Sequence, residues 1–80
     1  MNTLTLGEKI RNFRTIKGLS HEELEKISGI SNHTISDIEN NKTKPKIETV
    51  YKLCLAMDLA VNETIIIILN CLETYIENLN

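Results

Sequence analysis

Long apolar runs are missing from these 80 residues: the longest, residues 65–69, falls far short of the roughly 20 needed to cross a bilayer. The chain opens without the basic-then-apolar pattern of a secretory signal, so no membrane partner and a cytoplasmic location are expected. Cysteine is scarce. Cys54 and Cys71 come without a CxxC or a nearby histidine pair, which argues against a zinc site, and a disulfide is not expected in a reducing compartment. Cys54 falls on the helical stripe Ile47, Val50, Cys54, Met57 and reads as a small core residue, while Cys71 sits near the edge of another apolar stripe. No alternating strand pattern, internal repeat, low-complexity stretch or linker appears, and Pro45 is the only proline. Enzyme chemistry finds no footing either. His33 and Asp37 stand one helical turn apart and could hydrogen-bond, but there is no placed nucleophile and no glycine-rich phosphate loop. No cofactor, metal or small-molecule ligand is expected. Asn-x-Ser/Thr triplets at Asn32, Asn41 and Asn62 read as caps and turns rather than glycan sites.

Basic residues are absent from the last 28 positions. All nine Lys and Arg lie between residues 9 and 52, and the first 52 residues hold seven acids, a local balance of +2; Asp58, Glu63, Glu73 and Glu77 leave the remainder at −4. The overall −2 therefore hides one part suited to a polyanion and another suited to something else.

What is present is helical grammar. The spacing predicts five helices in an all-α fold, the last of them extended. Helix 1 starts at the capping box Thr5–Glu8 and runs to about Ile16, turning Leu6, Ile10, Phe13 and the Ile16 side to a core. Helix 2 opens at Ser20 with Glu23 completing a capping box and Leu19 stapling onto Leu24, and ends near Ser28. Gly29 supplies a tight turn, after which Ser31 caps helix 3 and Ile30 staples to Ile35. Helix 4 runs from about Ile47 to Met57; helix 5 follows, with Asn62 as cap and Val61 stapling to Ile66. The chain reads as one domain over 1–80, with its core at about 6–60 and the last helix at about 62–79.

The run Gly18-Leu19-Ser20, Glu23-Leu24, Gly29-Ile30-Ser31, Thr34-Ile35-Ser36, Ile38-Glu39-Asn40 and Lys42 through Pro45 resembles the phage repressor and Cro (XRE-like) family of helix-turn-helix transcription regulators, over roughly Leu6 to Ile66. The resemblance implies a compact five-helix, repressor-like DNA-binding domain in which helices 2 and 3 form the helix-turn-helix that reads DNA, followed by an extended C-terminal helix. It also implies a pair between Glu39 and Arg14, late in helix 1, that ties helix 3 to helix 1 and turns Arg14 toward a phosphate. Three positions depart from the pattern. Asn41 stands where the family usually has Gly, Lys46 where it usually has a Ser or Thr cap, and Asp37 where many relatives carry a polar or basic residue.

Projected at about 100° per residue, helix 3 turns Thr34, Ile35 and Ile38 inward and Asn32, His33, Ser36, Asp37 and Asn40 outward. Asn32, His33, Ser36 and Asp37 are the candidate base readers: Asn pairs bidentately with adenine, Ser and His donate or accept, and a carboxylate near phosphates is tolerated where it accepts from a cytosine amino group. The candidate backbone contacts are Arg14, Ser20, His21, Thr34, Asn40, Lys42, Lys44 and Lys46, with the N-terminus of helix 2 as an anion site. On helix 5, Ile65, Ile68, Leu69, Leu72, Tyr75, Ile76 and Leu79 form an apolar stripe with Ile66 and Ile67 widening it, more than a small core needs. A homodimer through that stripe would space two recognition helices for a twofold operator. The expected function is a dimeric regulator that binds double-stranded DNA and represses by occupying a promoter. The alternative is a protein-interaction module or antitoxin-like regulator that keeps the fold with weak DNA binding, for which the acidic balance and Asp37 are the motive.

Overall fold

The computed structural model describes residues 4–77. Among them are five helices and no strand: α1 (Leu6–Ile16), α2 (His21–Ser28), α3 (Asn32–Glu39), α4 (Ile47–Ala56) and α5 (Val61–Glu77). The starts follow the caps. Thr5 Oγ1 accepts from the Glu8 N–H at 3.1 Å while Glu8 returns a bond to the Thr5 N–H at 2.9 Å, and Ser20 and Glu23 repeat the exchange at 3.0 and 2.9 Å. Ser31 Oγ accepts from the Thr34 N–H at 3.1 Å. Lys46 contributes no side-chain cap to α4, so its first turn lacks the satisfied donor the other three have. At α5 the expectation was wrong by two residues. Ala60 flanks the helix, with its N–H held by the Glu63 carboxylate at 2.9 Å, and Asn62 is already helical; Val61 and Ile66 both point to solvent and form no staple. A glutamate at the third helical position does the capping without a hydroxylic partner.

Three helices end in the same way. After α1, α3 and α4, residues Gly18, Asn41 and Asp58 take positive φ, and the next N–H bonds back five residues: Leu19 to Arg14, Lys42 to Asp37, Leu59 to Cys54. Asn41, at φ 59°, adopts the left-handed turn in the place where the family usually has Gly, and does more than glycine could. Its Oδ1 accepts from the Gly7 N–H at 3.2 Å and its Nδ2 donates to Thr5 Oγ1 at 3.0 Å, so the turn leaving α3 satisfies an orphan donor in the first turn of α1. That contact requires glycine at position 7. A Cβ there would collide with the Ile38 carbonyl oxygen and lie 2.7 Å from both Asn41 Oδ1 and the Glu39 carbonyl oxygen.

α3 packs on α1 and α2, α4 on α2 and α5, and α5 returns to α1. Leu6, Ile10, Leu24, Ile35, Ile38, Val50, Leu53, Cys54, Met57, Ile67 and Cys71 form one buried cluster, with Phe13, Leu19, Ile30, Leu59 and Ile68 packed around it. Two outcomes correct the sequence reading. Ile16 and Ile47, 75 and 38 % exposed, do not belong to the core, each standing at the end of its helix where the chain turns away. The core also does not stop at residue 60: Ile67, which looked like a widening of the outer stripe, is fully buried together with Cys71. Burial pushes the Cys54 thiol up to about 11, so at neutral pH it is a packed hydrophobe and a poor nucleophile.

Candidate nucleic-acid interface

α3 is eight residues long and lies against two helices by one side, so its other side is necessarily open. Ile35 and Ile38 plug the core. Asn32, His33 and Asn40 are exposed, and Ser36 and Asp37 half-buried, which brings the sequence-predicted readers onto one continuous strip. His33 Nε2 lies 3.4 Å from Asp37 Oδ2, so the carboxylate has an imidazole partner on its own helix. Thr34, half-buried between the two faces, has its hydroxyl engaged by Ser31 Oγ at 2.8 Å.

Glu39 decides how that strip is held. It is 1 % exposed, at the end of a helix whose dipole disfavours an anion. A carboxylate is tolerated there only with donors around it. Arg14 provides two, Nε to Oε2 at 2.6 Å and Nη2 to Oε1 at 3.1 Å, in a bidentate fork. His21 Nε2 stands 3.0 Å from Oε1 and must carry the proton of that bond, and Arg11 Nε adds a fourth contact at 3.3 Å. Burial alone would raise the Glu39 carboxyl, but the bonds and charges of Arg14 and His21 outweigh it and hold the group below its ordinary value of 4.5. One buried carboxylate thus ties α3 to both α1 and α2.

This arrangement revises two expected roles. Arg14 Nη1 also donates to the Leu19 carbonyl at 2.9 Å, so three of its five donors are used internally and the side chain braces the unit more than it faces outward. The His21 ring is likewise turned to Glu39, leaving the N-terminal amides of α2 as the outward feature of that end. Arg11 was missed altogether. Nothing in its helical position distinguishes it from a solvated arginine, and its partners lie 28 and 29 residues away. Beyond α3, Lys42, Lys44 and Lys46 are exposed along the loop into α4.

Outside this strip the surface carries a second feature. On α5, Ile65, Leu69, Leu72 and Ile76 are between 37 and 59 % exposed and recur at spacings of four, three and four, a heptad-like seam about 150° around the helix from Ile67 and Cys71. Two residues of the expected stripe turn the other way: Ile68 packs on the core, and the Tyr75 hydroxyl donates to the Pro45 carbonyl at 3.0 Å. Leu79 lies outside the described residues. Ile47, Tyr51 and Leu55 of α4 continue the seam across an apolar groove of about 530 Å³. Among the described residues no cluster of ligating side chains could hold a metal, and no helix is long and apolar enough to cross a membrane.

Two helices of eight residues joined across Gly29, the second polar on its free side and clamped from beneath, define a helix-turn-helix unit. Comparison with known proteins agrees. A helix-turn-helix family model matches residues 10–73. The chain is 33 % identical over 60 residues to the transcriptional regulator PuuR of Escherichia coli, covering 75 % of this chain and 32 % of that protein, and 33 % identical over 58 residues to SinR of Bacillus subtilis, covering 71 % and 52 %. It therefore spans about a third to a half of these curated relatives. Among solved structures it is similar to the restriction-modification controller protein C.AhdI of Aeromonas hydrophila (TM-score 0.69, 30 % identity, 74 % of this chain and 86 % of that one) and to the DNA-binding domain of the P22 C2 repressor (TM-score 0.70, 32 % identity, 81 % and 86 %). The chain belongs to the repressor and Cro-type (XRE-like) helix-turn-helix family, a family of transcription regulators and not of enzymes.

Proposed function

We propose that the chain is a sequence-specific binder of double-stranded DNA that acts as a homodimer on a twofold operator and represses by occupying a promoter. The observation that carries this is the polar strip of α3, open to solvent while the helix beneath it is locked by Glu39 to both neighbours. A reader must be rigid to distinguish base edges, and this one is held by charged hydrogen bonds on a buried anchor. Asn32, His33, Ser36 and Asp37 face base edges in the major groove; Lys42, Lys44, Lys46 and the α2 N-terminus with Ser20 face phosphates. Asp37 is compatible with that role because His33 stands beside it.

The α5 seam, with the α4 residues beside it, is the proposed dimer surface. It places apolar side chains at the spacing by which two helices interdigitate, on the part of the chain that carries no basic residue. The names of two structural neighbours, a controller protein and a repressor, favour a promoter-bound regulator.

Single alanine substitutions at Lys42, Lys44 and Lys46 test the backbone assignment. Each lysine that contacts a phosphate should, when removed, weaken selected and random duplexes alike and lower the slope of log affinity against log salt by about one unit. Fluorescence anisotropy between low and moderate salt measures both. Three variants with unchanged slopes would remove the loop from the interface. Weak association with no salt dependence in the unsubstituted protein would favour the interaction-module reading instead.

A further inference from the structure

Ser36 lies in the middle of the reading strip, and its hydroxyl can donate once and accept twice. How these are divided between the protein and DNA is biased from 25 residues upstream, in α1. Arg11 is a donor only, and its Nη2 lies 2.6 Å from the side-chain oxygen of Asn40, so the Asn40 amide cannot be turned the other way without setting an NH₂ against a guanidinium. Arg11 is itself held by Glu39 through Nε at 3.3 Å. The amide nitrogen of Asn40 therefore points back along α3, where it donates to the Ser36 carbonyl at 3.0 Å and to Ser36 Oγ at 3.4 Å. One lone pair of that hydroxyl is occupied from below, and among the described residues no hydrogen bond takes up its hydrogen.

From this polarity, and on the reading of α3 as the base-contacting helix, we infer that Arg11 and Asn40 are specificity-determining positioning residues that bias Ser36 toward donating, because one of its two acceptor sites is filled and its hydrogen is not. Ser36 then selects an acceptor on a base edge, a purine N7, guanine O6 or thymine O4, and disfavours an exocyclic amino group of cytosine or adenine at the same place. Asn40, expected among the phosphate contacts, acts through Ser36 instead. The chain of bonds has a fixed direction because its first member has no acceptor.

Reversing the direction tests it. Bound sequences are selected from random duplex DNA with the unsubstituted protein and with Ser36→Ala, His33→Ala, Asn40→Asp and Arg11→Met, each variant first shown by circular dichroism to fold. Ser36→Ala should relax one base pair per half-site by about 2- to 10-fold, the range of a single hydrogen bond. Asn40→Asp still accepts from Arg11 but presents an acceptor to Ser36, whose hydroxyl turns inward and exposes lone pairs; at that same base pair the preference should move to an amino-bearing edge. Arg11→Met frees the amide to turn and should blunt the preference there. All other positions should be unchanged in both, whereas a purely structural role would weaken every position together. If Ser36→Ala relaxes a base pair that Asn40→Asp and Arg11→Met leave as it was, the inference is wrong. If Ser36→Ala moves no position while His33→Ala does, Ser36 is not a reader, and the inference fails while α3 keeps its role. If neither moves any position, the reading of α3 fails with it.

Discussion

Glu39→Ala should cost about 3 kcal/mol of stability, toward the lower end of what breaking a buried ion pair costs because Arg11 and His21 can turn partly to water. A domain of this size has roughly 4–12 kcal/mol in total, and its melting temperature should fall by about 12–24 °C. The loss comes from Arg14, whose side chain is only 16 % exposed and would keep its charge with no carboxylate to meet it. Thermal melts followed by circular dichroism measure this, and a variant within about 1 kcal/mol of the parent would show that the carboxylate is not a structural anchor. The pH dependence has a definite sign. The folded carboxyl holds its proton less tightly than the unfolded one, so in acid the unfolded chain binds more protons; the contribution is complete above the ordinary value of 4.5 and is lost as pH falls through the lower folded value. Glu8 and Glu23 are lowered too, first by their bonds to the Thr5 and Ser20 backbones, and they remain in the variant. Glu39→Ala should therefore flatten the acid limb without abolishing it.

The second large effect concerns assembly. Leu69→Glu with Ile76→Glu should leave the five helices folded, since neither side chain belongs to the buried cluster, yet split the proposed dimer by placing four carboxylates in an apolar seam. Losing the link between two half-site contacts should weaken binding to a twofold duplex by about 10²- to 10⁴-fold, while binding to a single half-site changes little. Sedimentation gives the mass and anisotropy the affinity. An unchanged dimer mass would move the interface off α5. A collapsed circular-dichroism spectrum would mean that the seam is part of the core.

The elements were legible in the sequence because their ends are local. Thr5 with Glu8, Ser20 with Glu23, and Gly29 each act within four residues, so the starts of α1 and α2 and the turn between α2 and α3 can be read directly. The capping of α5 was misread because Ala60 carries no capping side chain and Glu63 does the work alone. What failed to show was non-local. Ile67 and Ile68 are identical in type to Ile65 and Ile66, and only the arrival of α1 and α4 decides which of the four is core. Arg11 becomes distinctive only once the end of α3 is brought against α1, and Gly7 only through the Ile38 carbonyl that crosses it. The Arg14–Glu39 pair was foreseen through family resemblance, but the inward commitment of His21 and the depth of Glu39 were not.

The claim that α3 reads DNA is tested most directly by the ratio of affinities for a selected duplex and for random duplex, measured at one salt concentration, before and after Asn32, His33 and Ser36 are together replaced by alanine. Each lost base contact is worth about 0.5–3 kcal/mol on the selected site, least for the single hydrogen bond of Ser36, and little elsewhere. The triple variant should fall to nearly the random-duplex affinity on the selected site while its binding to random duplex stays within about twofold of the parent. An unchanged ratio in a folded triple variant would contradict that claim.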